Sequence, residues 1–269
     1  MNADNSQSFV AANGTDLEKA RLQTILFGSD PDPEVLNSFT RLQNEDGGFP
    51  CGLQAGKPSS LERTHLALWW LEELGRFPST EVDRAIDFIV YNQVDDGSWD
   101  ENLSVPRQCL PPWIIPGDLL TRLNLTAYSA YWLGVEGRQE HPAFQKGLDF
   151  LLDYQDDTGE FDGYPHTTWL ATSALLMAGE QYAVRAKRGM LALIARPLSE
   201  YEASQLAWLL NCLNTAGISR GHHVATHFLI KLRQLRRQDG SWASEDGDTH
   251  AVDSTIESLR VFKRFGLLV

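Results

Sequence analysis

The chain has 269 residues, 42% of them hydrophobic, and a formal net charge of -13. That length suits one large domain or two small ones, and the acidic excess weighs against nucleic acid and anionic membrane as partners. The three cysteines, Cys51, Cys109 and Cys212, form no C-x-x-C pair, which argues against a disulfide scaffold or thiolate zinc site and suits a reducing, cytoplasmic setting.

The first residues, "MNADNSQSFVAANGTD", lack the basic and apolar regions of a signal peptide, and residues 1-15 read as a flexible tail. From residue 16 to 269 the pattern predicts a single helical domain. "DLEKARLQTILFG" opens it, and "PEVLNSFTRLQ" follows as an amphipathic helix ending at Gln43 before the turn "NEDGGFP". "SSLERTHLALWWLEELG" is apolar on nearly every side, as a helix surrounded by protein must be. "EVDRAIDFIVYNQ" then leads to a second acidic-glycine turn, "VDDGSW". The prolines of residues 100-122 forbid a continuous helix and predict a lid-like loop carrying Trp113, Ile114 and Ile115.

Beyond the loop the alternation resumes. "LNLTAYSAYWLGVEG", "HTTWLATSALLMAG", "EASQLAWLLNCLNTAG" and "HAVDSTIESLRVFKRFG" are of the buried class, and "PAFQKGLDFLLDYQ" and "HVATHFLIKLRQLRRQ" carry one apolar stripe. Gln155 and Gln238 precede further turns, "DDTGEF" and "DGSW", and "IARPLSEYEAS" marks a degenerate copy. Helix pairs of this kind cannot bury their apolar faces alone, so neighbours must stack. Six inner and about five outer helices predict an all-α, (α/α)6-type toroid of two concentric layers. Within each turn, Gln and the aromatic residue are read as structural.

These turns resemble the QW-type repeats of the squalene–hopene cyclase and protein prenyltransferase β-subunit superfamily. The resemblance implies an α/α toroid whose central cavity suits an apolar polyisoprenoid chain. Its members include proton-initiated terpene cyclases and zinc-dependent prenyltransferases. The cyclases carry a D-x-D-D-T-A signature, and the nearest strings here are "DGDTHA", with Asp246 and Asp248, and "AVDSTIE". Asp253 stands at the third position of the signature, but Ala251 and Ser254 replace its first and last Asp. The prenyltransferases' D-x-C zinc pair is absent, so neither metal nor cofactor is expected, and Mg only if the substrate is a diphosphate.

Candidate chemistry lies at helix starts. From Asp253, Glu257 is at i+4 and His250 at i-3, one acidic-histidine face on which Asp248 also borders. Crowded acids raise one another's pKa, and a protonated Asp can protonate an alkene while a His relays the proton. His65, at i+3 from Glu62, and His166 are candidate proton acceptors, with a core or capping role the commoner one for such residues. Trp69, Tyr128, Tyr131, Trp132, Trp169 and Trp208 on inner segments, and Trp113 on the loop, are candidates to line a prenyl chain and stabilise carbocations. The expected function is an isoprenoid-handling enzyme, a terpene cyclase or isomerase. A non-catalytic lipid carrier or protein-binding scaffold is the alternative.

Overall fold

The computed structural model describes residues 3-268. In chain order its helices are α1 (Asp4–Asn13), α2 (Asp16–Phe27), α3 (Pro33–Thr40), α4 (Leu61–Glu73), α5 (Thr80–Tyr91), α6 (Leu119–Val135), α7 (Pro142–Leu152), α8 (Pro165–Met177), α9 (Ala183–Ala195), α10 (Ala203–Thr215), α11 (His223–Gln234) and α12 (Ala251–Arg264). Two-residue strands β1 (Phe49–Pro50) and β2 (Ser59–Ser60) pair antiparallel, with Phe49 opposite Ser60. No helix among the described residues is long and apolar enough to cross a membrane. Where one domain from residue 16 onward was expected, backbone contacts divide the chain into two compact units. The first holds the described residues up to Leu36, Glu73–Gly75 and those from Ile194; the second holds Asn37–Glu72 and Arg76–Leu193.

The two helix classes are present. Every residue of α8 from Thr167 to Leu175 is buried, and α6 buries all but one residue from Leu123 to Gly134. In contrast α5 buries Val82, Ala85, Ile86 and Ile89, α9 buries Ala186, Gly189, Met190 and Leu193, and α11 buries Ala225, Phe228, Leu229 and Leu232. Each set follows the i, i+3, i+4, i+7 spacing of one helical stripe, which leaves the opposite face to water. α2 departs from the expected inner class: it buries only Arg21, Leu22 and Leu26.

The recurrent turn is a docking device. In the second unit the Gln43 amide donates to the carbonyls of Gly47 and Glu81, Gln93 to those of Gly97 and Ala143, and Gln155 to those of Gly159 and Arg185. Each Gln therefore closes its own turn and grips the start of the next one-stripe helix. The glycine four residues on has positive φ and lies against that helix's backbone. A Cβ on Gly97 would stand 2.5 Å from the Lys146 carbonyl oxygen, so both conformation and space demand glycine. The aromatic residue then buries its ring and donates its backbone N–H to a threonine hydroxyl on a buried helix. Phe49 donates to Thr64, Trp99 to Thr126, Phe161 to Thr168 and, in the first unit, Trp242 to Thr255.

The fourth turn corrects the sequence register. Measured back from Gly240, the gripping position is held by Arg236 and not by Gln238, and Arg236 donates to the Gly240 carbonyl and the Ser6 hydroxyl. Its docking partner is α1, where a flexible tail over residues 1-15 was expected. Ser6 donates to the Gly240 carbonyl at 2.6 Å, and Gly240 packs on the Asn5–Ser6 backbone. α1 is polar in composition and buries only Ser6 and Val10, so its sequence alone gives little sign of a helix. It is fixed by a turn 234 residues away and by packing on α12. A capping box between Thr15 and Glu18 then starts α2.

Between Trp99 and α6 the proline-rich segment is irregular, with one 3-10 turn at Arg107–Cys109. The Arg107 guanidinium donates to the carbonyls of Pro111, Pro112 and Ile114, which holds the loop in a set form. Ile114 is buried, while Trp113 and Ile115 are exposed.

Candidate functional site

In the second unit, polar and aromatic candidates gather along α4. Glu101, buried, reaches from the proline-rich segment to the helix start and accepts hydrogen bonds from the Ser60 hydroxyl (2.6 Å) and the backbone N–H groups of Leu61 and Glu62. A carboxylate at a helix N-terminus satisfies orphan donors and meets the positive end of the dipole. Its charge also falls on the neighbouring Glu62. Burial pushes the Glu62 carboxyl up, Arg63 at 2.9 Å pulls it down and Glu101 pushes it up again, with the balance at about 7.

One turn further, His65 is fully buried. Its Nε2 lies 3.0 Å from the Ser129 hydroxyl, its ring stacks on Tyr128 at 4.6 Å, and its Nδ1 has no hydrogen-bond partner among the described residues. Burial pushes the imidazole down to about 3, so it is neutral near physiological pH. At i+4 from His65, Trp69 meets Trp132 edge-on at 5.6 Å and Tyr131 at 6.0 Å, with Phe77 on the far side of Trp132. Trp69, Tyr131 and Trp132 are all buried, so α4 carries an acid, an imidazole and an aromatic wall at successive turns.

On α8, His166 lies edge-on to the buried Trp169 at 5.1 Å. Tyr164, which precedes it, donates its hydroxyl to the Trp113 carbonyl at 2.8 Å, tying the loop tip to the start of α8. Tyr128 and His166 are half-buried and Trp113 is exposed.

The first unit holds a different cluster. Arg21 of α2, 1% exposed, bonds Glu73 Oε2 through Nε and Asp253 Oδ1 through Nη1, both at 2.6 Å. Arg260 adds a second cation, 3.5 Å from Glu73 Oε1. Burial alone would lower the Arg21 pKa, but Glu73, Asp253 and Glu257 more than reverse this and hold the guanidinium charged. Glu257 shares the Asp253 face of α12 and accepts from Asn211 Nδ2 at 2.8 Å. Asp248 pairs with Arg237 on an exposed turn and His250 is exposed beside it; of the expected acidic-histidine face, Asp253 and Glu257 alone enter the buried network. Trp208 is half-buried on α10.

The turn threonines give a common register for these positions. Two residues before each stand Glu62, Asn124, His166 and Asp253, polar in every copy. Arg21, Glu73, Arg260, Glu101 and Ser129 were not singled out from sequence. Only Glu101, in an acidic run beside a turn, gave a local signal; the others act through partners dozens to hundreds of residues away.

No family model matches the chain, and no curated protein matches it. Solved structures do. A protein from Actinoplanes is 16% identical with a TM-score of 0.64, over 98% of each chain. A form of the type II terpene cyclase MstE from Scytonema, in complex with its substrate geranylgeranyl dihydroxybenzoate, is 14% identical with a TM-score of 0.59, over 94% of this chain and 87% of that one. The ent-copalyl diphosphate synthase of Streptomyces platensis is 16% identical with a TM-score of 0.58, over 93% of this chain and half of that one. At these identities the likeness shows the fold: the all-α class expected from the repeats, shared with terpene cyclases of the α/α toroid superfamily.

Proposed function

We propose that this protein is a type II terpene cyclase-like enzyme that isomerises a prenyl chain, with Glu62 as the proton donor. The observation that carries the reading is the Glu62 carboxyl itself. It is held protonated up to about pH 7 at the start of a helix whose next turns present a neutral imidazole and a buried aromatic wall. The threonine register supports it: Thr64 stands to Glu62 as Thr255 stands to Asp253, so Glu62 also holds the third position of the D-x-D-D-T-A signature. Asp253 is instead engaged by the buried Arg21 guanidinium at 2.6 Å, a contact that suits a structural role.

In this reading Glu62 transfers its proton to a terminal alkene of the substrate, and the carboxylate left behind is balanced by Arg63. The carbocation moves over the faces of Trp69, Tyr131 and Trp132. His65, uncharged and with Nδ1 unpaired, takes a proton at the end when the Ser129 hydrogen bond leaves the lone pair on Nδ1. A proton enters and a proton leaves, so the product is an isomer. MstE, which binds geranylgeranyl dihydroxybenzoate, suggests the substrate class, a prenyl chain on a polar head.

The test is incubation with geranylgeranyl dihydroxybenzoate and geranylgeranyl diphosphate, the latter with and without Mg, followed by mass-spectrometric product analysis. A cyclic isomer formed by the wild type and lost in Glu62→Gln supports the assignment. Loss in Asp253→Asn with Glu62→Gln unimpaired moves the acid to α12. A prenyl compound bound and returned unchanged favours the carrier reading, which the Arg21–Asp253 ion pair also accommodates.

A further inference from the structure

The start of α11, in the first unit, gathers three of the chain's seven histidines, His222, His223 and His227, and the catalytic reading uses none of them. His222 has a structural task. It is the N-cap of the helix, and its Nδ1 accepts the backbone N–H of Val224 at 3.3 Å. Its ring stacks on that of His223 at 4.6 Å. His223 is exposed, and His227 is half-buried with its ring edge-on to Phe228 at 5.2 Å. The ring nitrogens of His223 and His227 enter no hydrogen bond or ion pair among the described residues. Histidine is also a poor helix former, so neither propensity nor burial accounts for His223.

His223 and His227 stand at i and i+4, hence on one face of α11 with Cβ atoms about 6 Å apart. Imidazoles on adjacent turns at this spacing can close on one ion, because rotation about their side-chain bonds brings a nitrogen of each within the ~2 Å of a metal–nitrogen bond. We propose that His223 and His227 form a two-imidazole site for a divalent transition-metal ion of the class Cu2+, Ni2+ and Zn2+. Among the described residues His, Cys, Asp and Glu form no metal-holding group of three or more, so water fills the other positions of the ion. Imidazole donors set the selectivity: Cu2+ binds more tightly than Ni2+ or Zn2+, and Mg2+ and Ca2+, which take oxygen ligands, are passed over. That order separates the site from the diffuse attraction of a chain of net charge -13 for any cation. A bound ion joins the first two turns of α11, the helix that leads to Arg236 and the turn on which α1 docks.

The full-length chain, prepared without a histidine tag, is titrated by calorimetry with Ni2+, Zn2+, Mg2+ and Ca2+, and with Cu2+ by electron paramagnetic resonance. The expected result is one equivalent of Ni2+ or Zn2+, a Cu2+ spectrum with hyperfine structure from two imidazole nitrogens, and no displacement by excess Mg2+ or Ca2+. His223→Gln and His227→Gln are each expected to weaken binding at least ~10-fold, because no second imidazole then closes on an ion already held. His222→Asn keeps a capping side chain and is expected to leave binding unchanged. In the wild type, Cu2+ is expected to broaden the ring resonances at the start of α11 while those of His65, His141, His166 and His250 stay sharp, which decides even if a variant fails to fold. An absence of binding, binding that survives both glutamine substitutions, or displacement by Mg2+ or Ca2+ overturns the proposal.

Discussion

The starts of α4 and α12 occupy the same place in the repeat, two residues before the threonine that holds the turn aromatic, and each bears a carboxylic acid. Their surroundings differ. Glu62 is desolvated beside a second carboxylate, with a single partly exposed arginine as counterweight, and its proton is retained to about pH 7. Asp253 is one-third exposed and pairs with a fully buried guanidinium at 2.6 Å. A repeat therefore supplies a position, while burial and the charges around it decide whether its carboxyl is pushed up, as at Glu62, or paired with a cation, as at Asp253.

The largest effect that tests this contrast is expected at Arg21. Arg21→Met leaves Glu73 and Asp253 without their shared cation, and a buried pair broken on one side costs about 3–5 kcal/mol. Chemical denaturation measures it, and a loss below 1 kcal/mol would show the network to be idle. Next, Glu62→Gln is expected to lower cyclic product formation by at least ~100-fold with the helical circular dichroism unchanged, and wild-type turnover should fall as pH rises past about 7, where Glu62 loses its proton.

The third test uses the pH dependence of stability. Glu62 has a folded pKa raised from 4.5 to about 7, so between these values the unfolded chain loses its proton first and stability falls as pH rises. His65 is lowered from 6.5 to about 3, so in that window the unfolded chain takes up a proton first and stability rises with pH. Each slope is at most about 1.4 kcal/mol per pH unit, and the two oppose one another between pH 4.5 and 6.5. Glu62→Gln should make the rise steeper in that window and His65→Gln should leave a fall. Unchanged slopes in both variants would remove the electrostatic contrast between α4 and α12. The smallest effect is at the shared register: Thr126→Val takes the acceptor from the buried Trp99 N–H and is expected to cost about 1–2 kcal/mol in thermal or denaturant unfolding.

Much of the fold was legible because its signals are local. The turns at Gly47, Gly97, Gly159 and Gly240 announce themselves by glycine, acid and aromatic within a few residues, and the one-stripe helices by their spacing. α1 was not legible, since its helix rests on the far turn at Gly240 and its own residues are polar. The same limit governed the site. Glu62 and His65 were visible as an i, i+3 pair, and the aromatic residues Trp69, Tyr131 and Trp132 as an apolar helix face. Nothing near Asp253 in the sequence betrays Arg21, 232 positions away, which it pairs with.

The docking of α1 on the Gly240 turn sets an order of events during synthesis. Its residues leave the ribosome well before Gly240 and Arg236, which follow more than two hundred residues later. Throughout that interval α1 lacks its turn partner, and its polar surface offers little to aggregate. The contact that then forms joins two segments made far apart in time. Such long-range closure is slow, and it leaves the first unit incomplete until the Gly240 turn has been made.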